Sequence, residues 1–396
     1  MINSKIITLI KNLKRIKFSI PSKDLVIFDG ECVRYLENIV KGYDYFVLED
    51  RLNRINTIFI TPLVIFYFFF YSFLIFKKFS IKLIYTIALI KSLKAKVIIT
   101  GIDNSINFFI CSKYLHEKIF FIALQNADRN GFEEGDLEIK NPQEYKKKLF
   151  LSNFICFGQR EVDGSKKNKL MIQKFYKFGS LRIANFNYEL KKNQVRLNKN
   201  LFDVGFISLM GENKNEDDGL EVTEKYIDLL KFTIKYVLEN NLKFIFIQKS
   251  KNENDLNLEL NFYKNYLSDK EYSFLISNLQ EGENNLYSSY YSLFQSKVIV
   301  GMASTMLLEK IHLKEKILAC NFTKYKIWDF PIDGICSMNV NNYDNFSSRL
   351  KLILNLENND YFNKLDKKPE YVMSFDKNKS LIEKTRELIK ENLNRR

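Results

Sequence analysis

The chain is poor in histidine and has no paired cysteines, and each shortage removes a class of chemistry. Two histidines, His116 and His312, among 396 residues are too few for a histidine-rich metal site. Each reads as a surface or helix-flank residue. Cys32, Cys111, Cys156, Cys320 and Cys336 stand alone, with no Cys-x-x-Cys and no metal-ligand spacing. Three of them sit in apolar, strand-like runs, so they read as reduced thiols of an intracellular protein. No internal repeat is visible at a period of roughly 20–50 residues, which argues against a solenoid or propeller. The basic, amphipathic start (Lys5, Lys11, Lys14, Arg15 and Lys17 among Ile and Leu) lacks the apolar core and small-residue cleavage site of a secretory signal.

What is present is a globular balance, 46% hydrophobic and 27% charged. A length of 396 residues suggests two domains. Lys and Arg number 61 against 47 acids, a net charge of +14. That excess invites a polyanion: nucleic acid, an anionic membrane surface or a phosphorylated substrate. The cations are spread along the chain rather than gathered into one tract. The aromatics, 22 Tyr among them, lie mainly in strands and one apolar helix, the pattern of a core and not of a nucleic-acid face with exposed rings.

In chain order, DLVIFDG (24–30), the helical ECVRYLENIVK and DYFVLE (44–49) set a βαβ rhythm. Thr57–Phe76 is then a run of 20 residues without a charge, followed by Lys77 and Lys78. Its length suffices for a membrane span. One span would, however, put strands of a single sheet on opposite sides of a bilayer. The run suits a monotopic contact dipping into the interface, with a buried helix and a true span as the alternatives. Three strands follow, each releasing polar residues at its carboxyl end: AKVIITGIDNS with Asp103, EKIFFIALQNADRNG with Gln125, Asn126 and Arg129, and NFICFGQREVD with Gly158, Gln159 and Arg160. In open α/β sheets that edge binds ligands. FYKFGSLRIANF carries Gly179, Ser180 and Arg182, and the polar stretch 188–200 reads as the interdomain linker.

The second half opens with the strand LFDVGFIS, an acidic loop and a long helix over 221–241. LKFIFIQKS is a strand ending in Lys249, and a helix near 256–268 and the apolar SFLIS follow. VIVGMASTMLLEKIHLKEKILACNF then reads as strand, turn, helix and strand, with Gly301, Ser304 and Thr305 at the turn and Glu309 one helical turn on. Unpaired N–H groups, helix dipole and two hydroxyls converge there on a spot fit for an anion, and a carboxylate one turn along could accept from a ribose diol. A capped βα turn with a solvated Glu is the plain alternative.

Two α/β domains with a late anion site resemble a GT-B glycosyltransferase: two Rossmann-like domains facing a cleft. More narrowly, IITGIDNS, FIALQNADRNG, FICFGQRE, FGSLR and VIVGMASTMLLEK, in that order over about residues 95–325, resemble a family of surface-carbohydrate transferases from bacterial polysaccharide clusters. That family is related in its second domain to the Kdo transferases of capsule assembly and to CDP-glycerol glycerophosphotransferases. The chain departs from it at Ala303, where Asp is usual, at Lys314 in place of Gly, and at Ala127.

The resemblance implies an acceptor domain over 1–187, a donor domain over 200–345 and a helical segment over 346–396. It implies that Ser304 and Thr305 hold donor phosphate, that Glu309 holds the ribose and that Lys249 neutralises the leaving group. Gly301 would belong to that donor site, and Gly179, Ser180 and Arg182 would add to it near the domain junction. Gln125, Asn126 and Arg129 would line the acceptor side, and Asp103 would be the general base, with Glu133, Glu134 or Asp136 next in line. The absence of Asp-x-Asp fits an enzyme with no metal and no cofactor, the nucleotide-sugar (a CMP-sugar slightly favoured) entering as substrate. The implied partners are a glycan or lipid-linked glycan acceptor and an anionic membrane surface, with no nucleic acid, at the cytoplasmic face of the membrane. An alditol-phosphate transferase and a non-catalytic polyanion binder are the rival readings; the former usually relies on histidines this chain offers little of.

Overall fold

The computed structural model describes residues 12–75, 80–129, 149–209, 217–249, 253–280 and 287–394. Lys77, Lys78, Glu133, Glu134 and Asp136 lie outside the described residues.

The chain divides into two compact units, Met1–Asn185 with Asp376–Arg396, and Phe186–Phe375. In the first unit the elements are β1 (Arg15–Lys17), β2 (Leu25–Phe28), α1 (Val33–Val40), β3 (Tyr45–Leu48), β4 (Thr57–Phe59), α2 (Pro62–Ile75), α3 (Ile81–Leu93), β5 (Val97–Thr100), α4 (Ile106–Leu115), β6 (Phe120–Leu124), β7 (Phe150–Cys156), α5 (Gln159–Lys167) and β8 (Met171–Lys177). Six strands make one parallel sheet in the order β3-β2-β5-β6-β7-β8, and β1 pairs with β4 in a separate parallel ribbon. Four strand segments read as unbroken apolar runs because a parallel sheet is covered on both faces. Val26, Ile27, Phe28, Ile98, Phe121 and Phe154 are accordingly buried.

The helix α6 (Leu181–Lys192) carries the chain into the second unit: β9 (Phe202–Ile207), α7 (Asp217–Glu239), β10 (Phe244–Ile247), α8 (Glu253–Lys264), α9 (Asp269–Ser277), α10 (Ser288–Gln295), β11 (Ser296–Gly301), α11 (Thr305–His312), β12 (Lys316–Cys320), β13 (Ser337–Met338), α12 (Tyr343–Asn355) and α13 (Asn358–Phe362). Its sheet is parallel throughout, in the order β10-β9-β11-β12-β13. Counted from each main sheet's first strand, both run 2-1-3-4-5, the flavodoxin-like doubly wound order, and the first sheet adds a sixth strand. The chain is thus α/β and GT-B-like, with two Rossmann-like sheets.

SFLIS lies inside α9, whose start is fixed by a capping box in which Ser268 and Glu271 satisfy each other's backbone. Two details differ from the sequence reading. His312 is buried, not a surface residue, and burial lowers its pKa to about 4, while His116 caps the end of α4 through Nδ1 and the Ser112 carbonyl. The segment 346–396 is not one body. Helices α12 and α13 belong to the second unit, whereas α14 (Leu381–Leu393) returns to the first. There Arg386 donates to the carbonyls of Ile39 and Lys41 at 2.8 Å, closing the C-terminal end of α1.

Candidate functional site

In a doubly wound sheet, ligands bind outside the carboxyl ends of the strands, where the strand order reverses. In the second unit that point lies between β9 and β11, and β11 ends there in Gly301. Ser304 is the N-cap of α11: extended at φ −141°, its Oγ accepts from the Met306 N–H at 3.3 Å. Ser304 and Thr305 are half-buried, so the first turn of the helix presents its hydroxyls and N–H groups at a partly open surface. Glu309, one turn along, is fully buried, and its Oε2 accepts from the Tyr290 hydroxyl at 2.8 Å. Next to it Lys310 is also fully buried, donating to the carbonyls of Leu293 and Ser296 and to Glu315 at 2.7–2.8 Å. That lysine ties α11 to the start of β11 and fixes the helix axis relative to the strand.

Lys249 is exposed just past β10, and its backbone N–H donates to Glu259 Oε1 at 3.1 Å. The same carboxylate accepts from Ser208, which also meets the Tyr263 hydroxyl at 2.6 Å. Tyr263 in turn meets Tyr226, whose hydroxyl holds the Leu209 N–H at 2.9 Å. This buried network, which the sequence reading missed, pins the carboxyl ends of β9 and β10 beside the switch point. Burial pushes both tyrosine hydroxyls far up, so they act as neutral hydrogen-bonding groups.

On the first sheet the switch point lies between β2 and β5. Asp103 follows β5, and its carboxylate receives Arg129 Nε at 2.9 Å, Arg129 Nη2 at 2.6 Å and the Asn126 N–H at 3.3 Å. The carboxylate is 1% exposed and the Arg129 side chain 12%, so the pair is sequestered from bulk water. Arg182 Nη2 donates to Asn126 Oδ1 at 3.0 Å, while its guanidinium lies over the Tyr35 ring. One chain of contacts thus joins Asp103, Arg129, Asn126 and Arg182. Gly179 supplies the turn before α6 at φ +89°, a left-handed conformation a side chain would resist, and Ser180 Oγ caps that helix at the Ile183 N–H. Gly179, Ser180 and Arg182 stand on the first unit and Ser304 on the second.

Gln125 is a correction to the expected acceptor set. It is 2% exposed, its Nε2 donates to the Ala127 carbonyl and to Glu161, and its Oε1 accepts from the Phe157 N–H. Its amide shapes the loop after β6 and offers nothing outward.

Two groups at this edge escaped the sequence reading. Asp29, which follows β2 as Asp103 follows β5 on the other side of the switch point, sits at φ +74°, ψ +112°, a sparsely populated conformation for a residue with a side chain. It is held by Arg51 at 3.0 Å and by the Glu31 N–H. The signal available was the Asp-Gly after a strand, since Gly30 leaves the space where a Cβ would strike the Glu49 carboxylate. Burial raises the pKa of Glu49 as well. The second group is Glu161 in the first turn of α5, accepting from Gly158 N–H and Gln125. Burial, then the nearby Asp128, raises its pKa to about 7, against the opposing pull of Arg160 and Gln125.

A pH dependence follows. The folded pKa lies above the unfolded value, so Glu161 contributes stability below about pH 4.5 and loses it as pH rises through about 7. Between about pH 5 and pH 8 the wild type should lose up to ~3 kcal/mol relative to Glu161→Gln. Urea denaturation of both proteins across that range checks it; parallel stability curves would remove Glu161 as the titrating group.

Among the described residues, no group of three or more His, Cys, Asp or Glu could hold a metal ion, and no helix is long and apolar enough to cross a membrane. All five cysteines are buried and unpaired, with thiol pKa values pushed upward by burial, Cys32 to about 11.

Fold and edges together define an α/β chain with two doubly wound sheets and polar groups gathered at both switch points. Residues 217–392 match the family model described as "putative O-antigen biosynthesis protein". No curated protein matches. Among solved structures, the chain is similar to UDP-GlcNAc 2-epimerase of Methanocaldococcus jannaschii in complex with UDP-GlcNAc and UDP: 10% identity, 96% of this chain and 99% of that one, TM-score 0.49. The wall teichoic acid polymerase TagF gives 10%, 98%, 93% and 0.47 in the same order. For UDP-GlcNAc 2-epimerase of Neisseria meningitidis the figures are 10%, 96%, 99% and 0.47.

Proposed function

We propose that this protein is a glycosyltransferase of bacterial surface-glycan assembly, moving a sugar from a nucleotide-activated donor to a growing or lipid-linked glycan. The observation that carries the reading is the switch point of the second sheet, where Gly301, Ser304 and Thr305 open the N-terminus of α11, with the exposed Lys249 at the end of β10, two strands along the same edge. In the proposed mechanism the hydroxyls and N–H groups of that turn hold the donor phosphate. Lys249 offsets the charge that develops on the departing nucleotide phosphate. Glu309, expected at the ribose, is 0% exposed and accepts from Tyr290, so it braces α11 from within and does not face the donor. Asp103, steadied by Arg129, is the proposed base for the acceptor hydroxyl, and Asn126 and Arg182 are the proposed acceptor contacts. The family match over the second half supports the surface-glycan assignment.

A thermal-shift screen tests the donor site. A nucleotide, with CMP or CDP ahead of UDP, should raise the melting temperature. Ser304→Ala/Thr305→Ala should abolish that rise while moving the ligand-free midpoint by no more than the loss of one helix cap, about 1 kcal/mol. A wild type indifferent to every nucleotide would count heavily against the reading.

A further inference from the structure

The helix α2 is apolar on every side, and its surroundings show what that outer side meets. Val64, Phe68 and Tyr71, at i, i+4 and i+7, turn inward onto the core of the first unit. On the opposite stripe Phe66, Phe69, Phe70, Phe73 and Leu74 are 50–93% exposed. A helix over an ordinary soluble core would carry polar residues there. The uncharged run is not one helix. Thr57–Phe59 is the strand β4, held by β1 on one side and by Tyr85, whose hydroxyl meets the Phe59 N–H at 2.8 Å. Pro62 then opens a helix of 14 residues, about 21 Å long against a hydrocarbon core of about 30 Å. Over the described residues that is too short for a true span. Full burial fails on exposure.

Charge identifies the partner. Residues 1–23 hold six cations and residues 51–102 hold eight, with no Asp or Glu in either segment. Together these equal the whole net charge of +14, so the rest of the chain is neutral. The spread of basic residues along the sequence is therefore only apparent. The two segments build β1, β4, α2 and α3. Lys23, Arg51, Lys82 and Lys96 pair with acids from outside the segments. Lys14, Arg15 and Lys17 make no ion pair among the described residues, and all three are exposed, beside Ile16 and Phe18, which are 51% and 75% exposed. A second copy of the chain docked on the same face would set these cations against their own kind. A nucleic acid would satisfy the cations but leave the bare phenylalanine stripe in water.

We propose that the outer stripe of α2, with the adjoining edge of the β1–β4 ribbon, is a docking surface for an anionic lipid bilayer. The helix lies in the interface with its phenylalanines at the acyl boundary, and Lys14, Arg15 and Lys17 face the headgroups. This surface is independent of the chemistry proposed above and stands or falls separately from it.

Flotation of the full chain with vesicles of phosphatidylcholine, or of equal parts phosphatidylcholine and phosphatidylglycerol, tests it. The wild type should float with the mixed vesicles, and salt should release it in part. Phe69→Ser/Phe73→Ser should weaken partition at least ~10-fold on both vesicle types. Lys14→Gln/Arg15→Gln/Lys17→Gln should weaken it about 100-fold on the anionic vesicles only. As a control, Lys364→Gln/Lys367→Gln/Lys368→Gln, on the second unit, should float like the wild type. All substituted side chains are exposed or lie on the outer stripe, so folding is not at stake. Failure of the wild type to float overturns the proposal, as does flotation untouched by the first two variants. A concentration-dependent dimer abolished by Phe69→Ser/Phe73→Ser, without vesicle binding, would overturn it in favour of a second copy.

Discussion

Asp103→Asn is expected to slow sugar transfer by ~10²–10⁴ while nucleotide binding persists, the range usual for loss of a general base. The forecast combines place and geometry. Asp103 follows β5 at the switch point of the first sheet, and three donors hold its carboxylate: two from Arg129 and one from the backbone of Asn126. A carboxylate has about four acceptor sites, so one is left for an acceptor hydroxyl. Asn keeps an oxygen for Asn126 and one Arg129 nitrogen but sets an amide against the other and cannot take a proton. The nucleotide-induced thermal shift, which reports on the second unit, separates chemical loss from damage to the fold. A base role also removes the acidic limb of the pH–rate profile in the variant. If turnover stays near wild type, or falls with that limb intact, Asp103 is a positioning residue for Arg129 and the base lies elsewhere.

How much of this was legible beforehand depends on the range of the interaction. The strands DLVIFDG, AKVIITG, EKIFFIAL and KVIVG could be read because covered parallel strands are continuous apolar runs, and the Ser304 turn because a cap is a local motif. SFLIS shows the limit: its apolar character suits a strand, but Ser268 and Glu271 begin a helix ahead of it, and capping prevails over a five-residue run. The partners of Asp103 could not be read at all, since Arg129 lies 26 positions away and meets it only because β5 and β6 are neighbours. The same holds for Glu259, which supports Ser208 from 51 positions on, and for Arg386, which closes α1 from the far end of the chain. Gln125 looked like a ligand-facing residue because a polar side chain at a strand end is ambiguous. Only its neighbours show it turned inward. The charge excess is the opposite case. It was countable from the outset, but its meaning needed the pairing of β1 with β4, which brings two separate acid-free segments beside one exposed apolar helix.

Arg129→Met is expected to destabilise the first unit by about 3 kcal/mol, a larger loss than any surface substitution should cause. The reason is asymmetric. Methionine matches much of the arginine's apolar stem, but it leaves the Asp103 carboxylate, 1% exposed, without its two guanidinium donors. The Asn126 N–H at 3.3 Å remains, which is too little to replace water around a full charge. For a unit of this size that loss corresponds to a fall of roughly 6–12 °C in melting temperature. The arginine is 12% exposed and can recover some hydration, so Asp103→Asn alone should cost less than Arg129→Met. The double variant Asp103→Asn/Arg129→Met removes the stranded charge together with its partner, and it should regain most of the lost stability. A double-mutant cycle by urea denaturation therefore measures the coupling directly. Additive single effects would show that the two side chains touch without depending on each other. That outcome would also withdraw the argument that Arg129 steadies Asp103 for proton transfer, because a base held by its neighbour must be coupled to it.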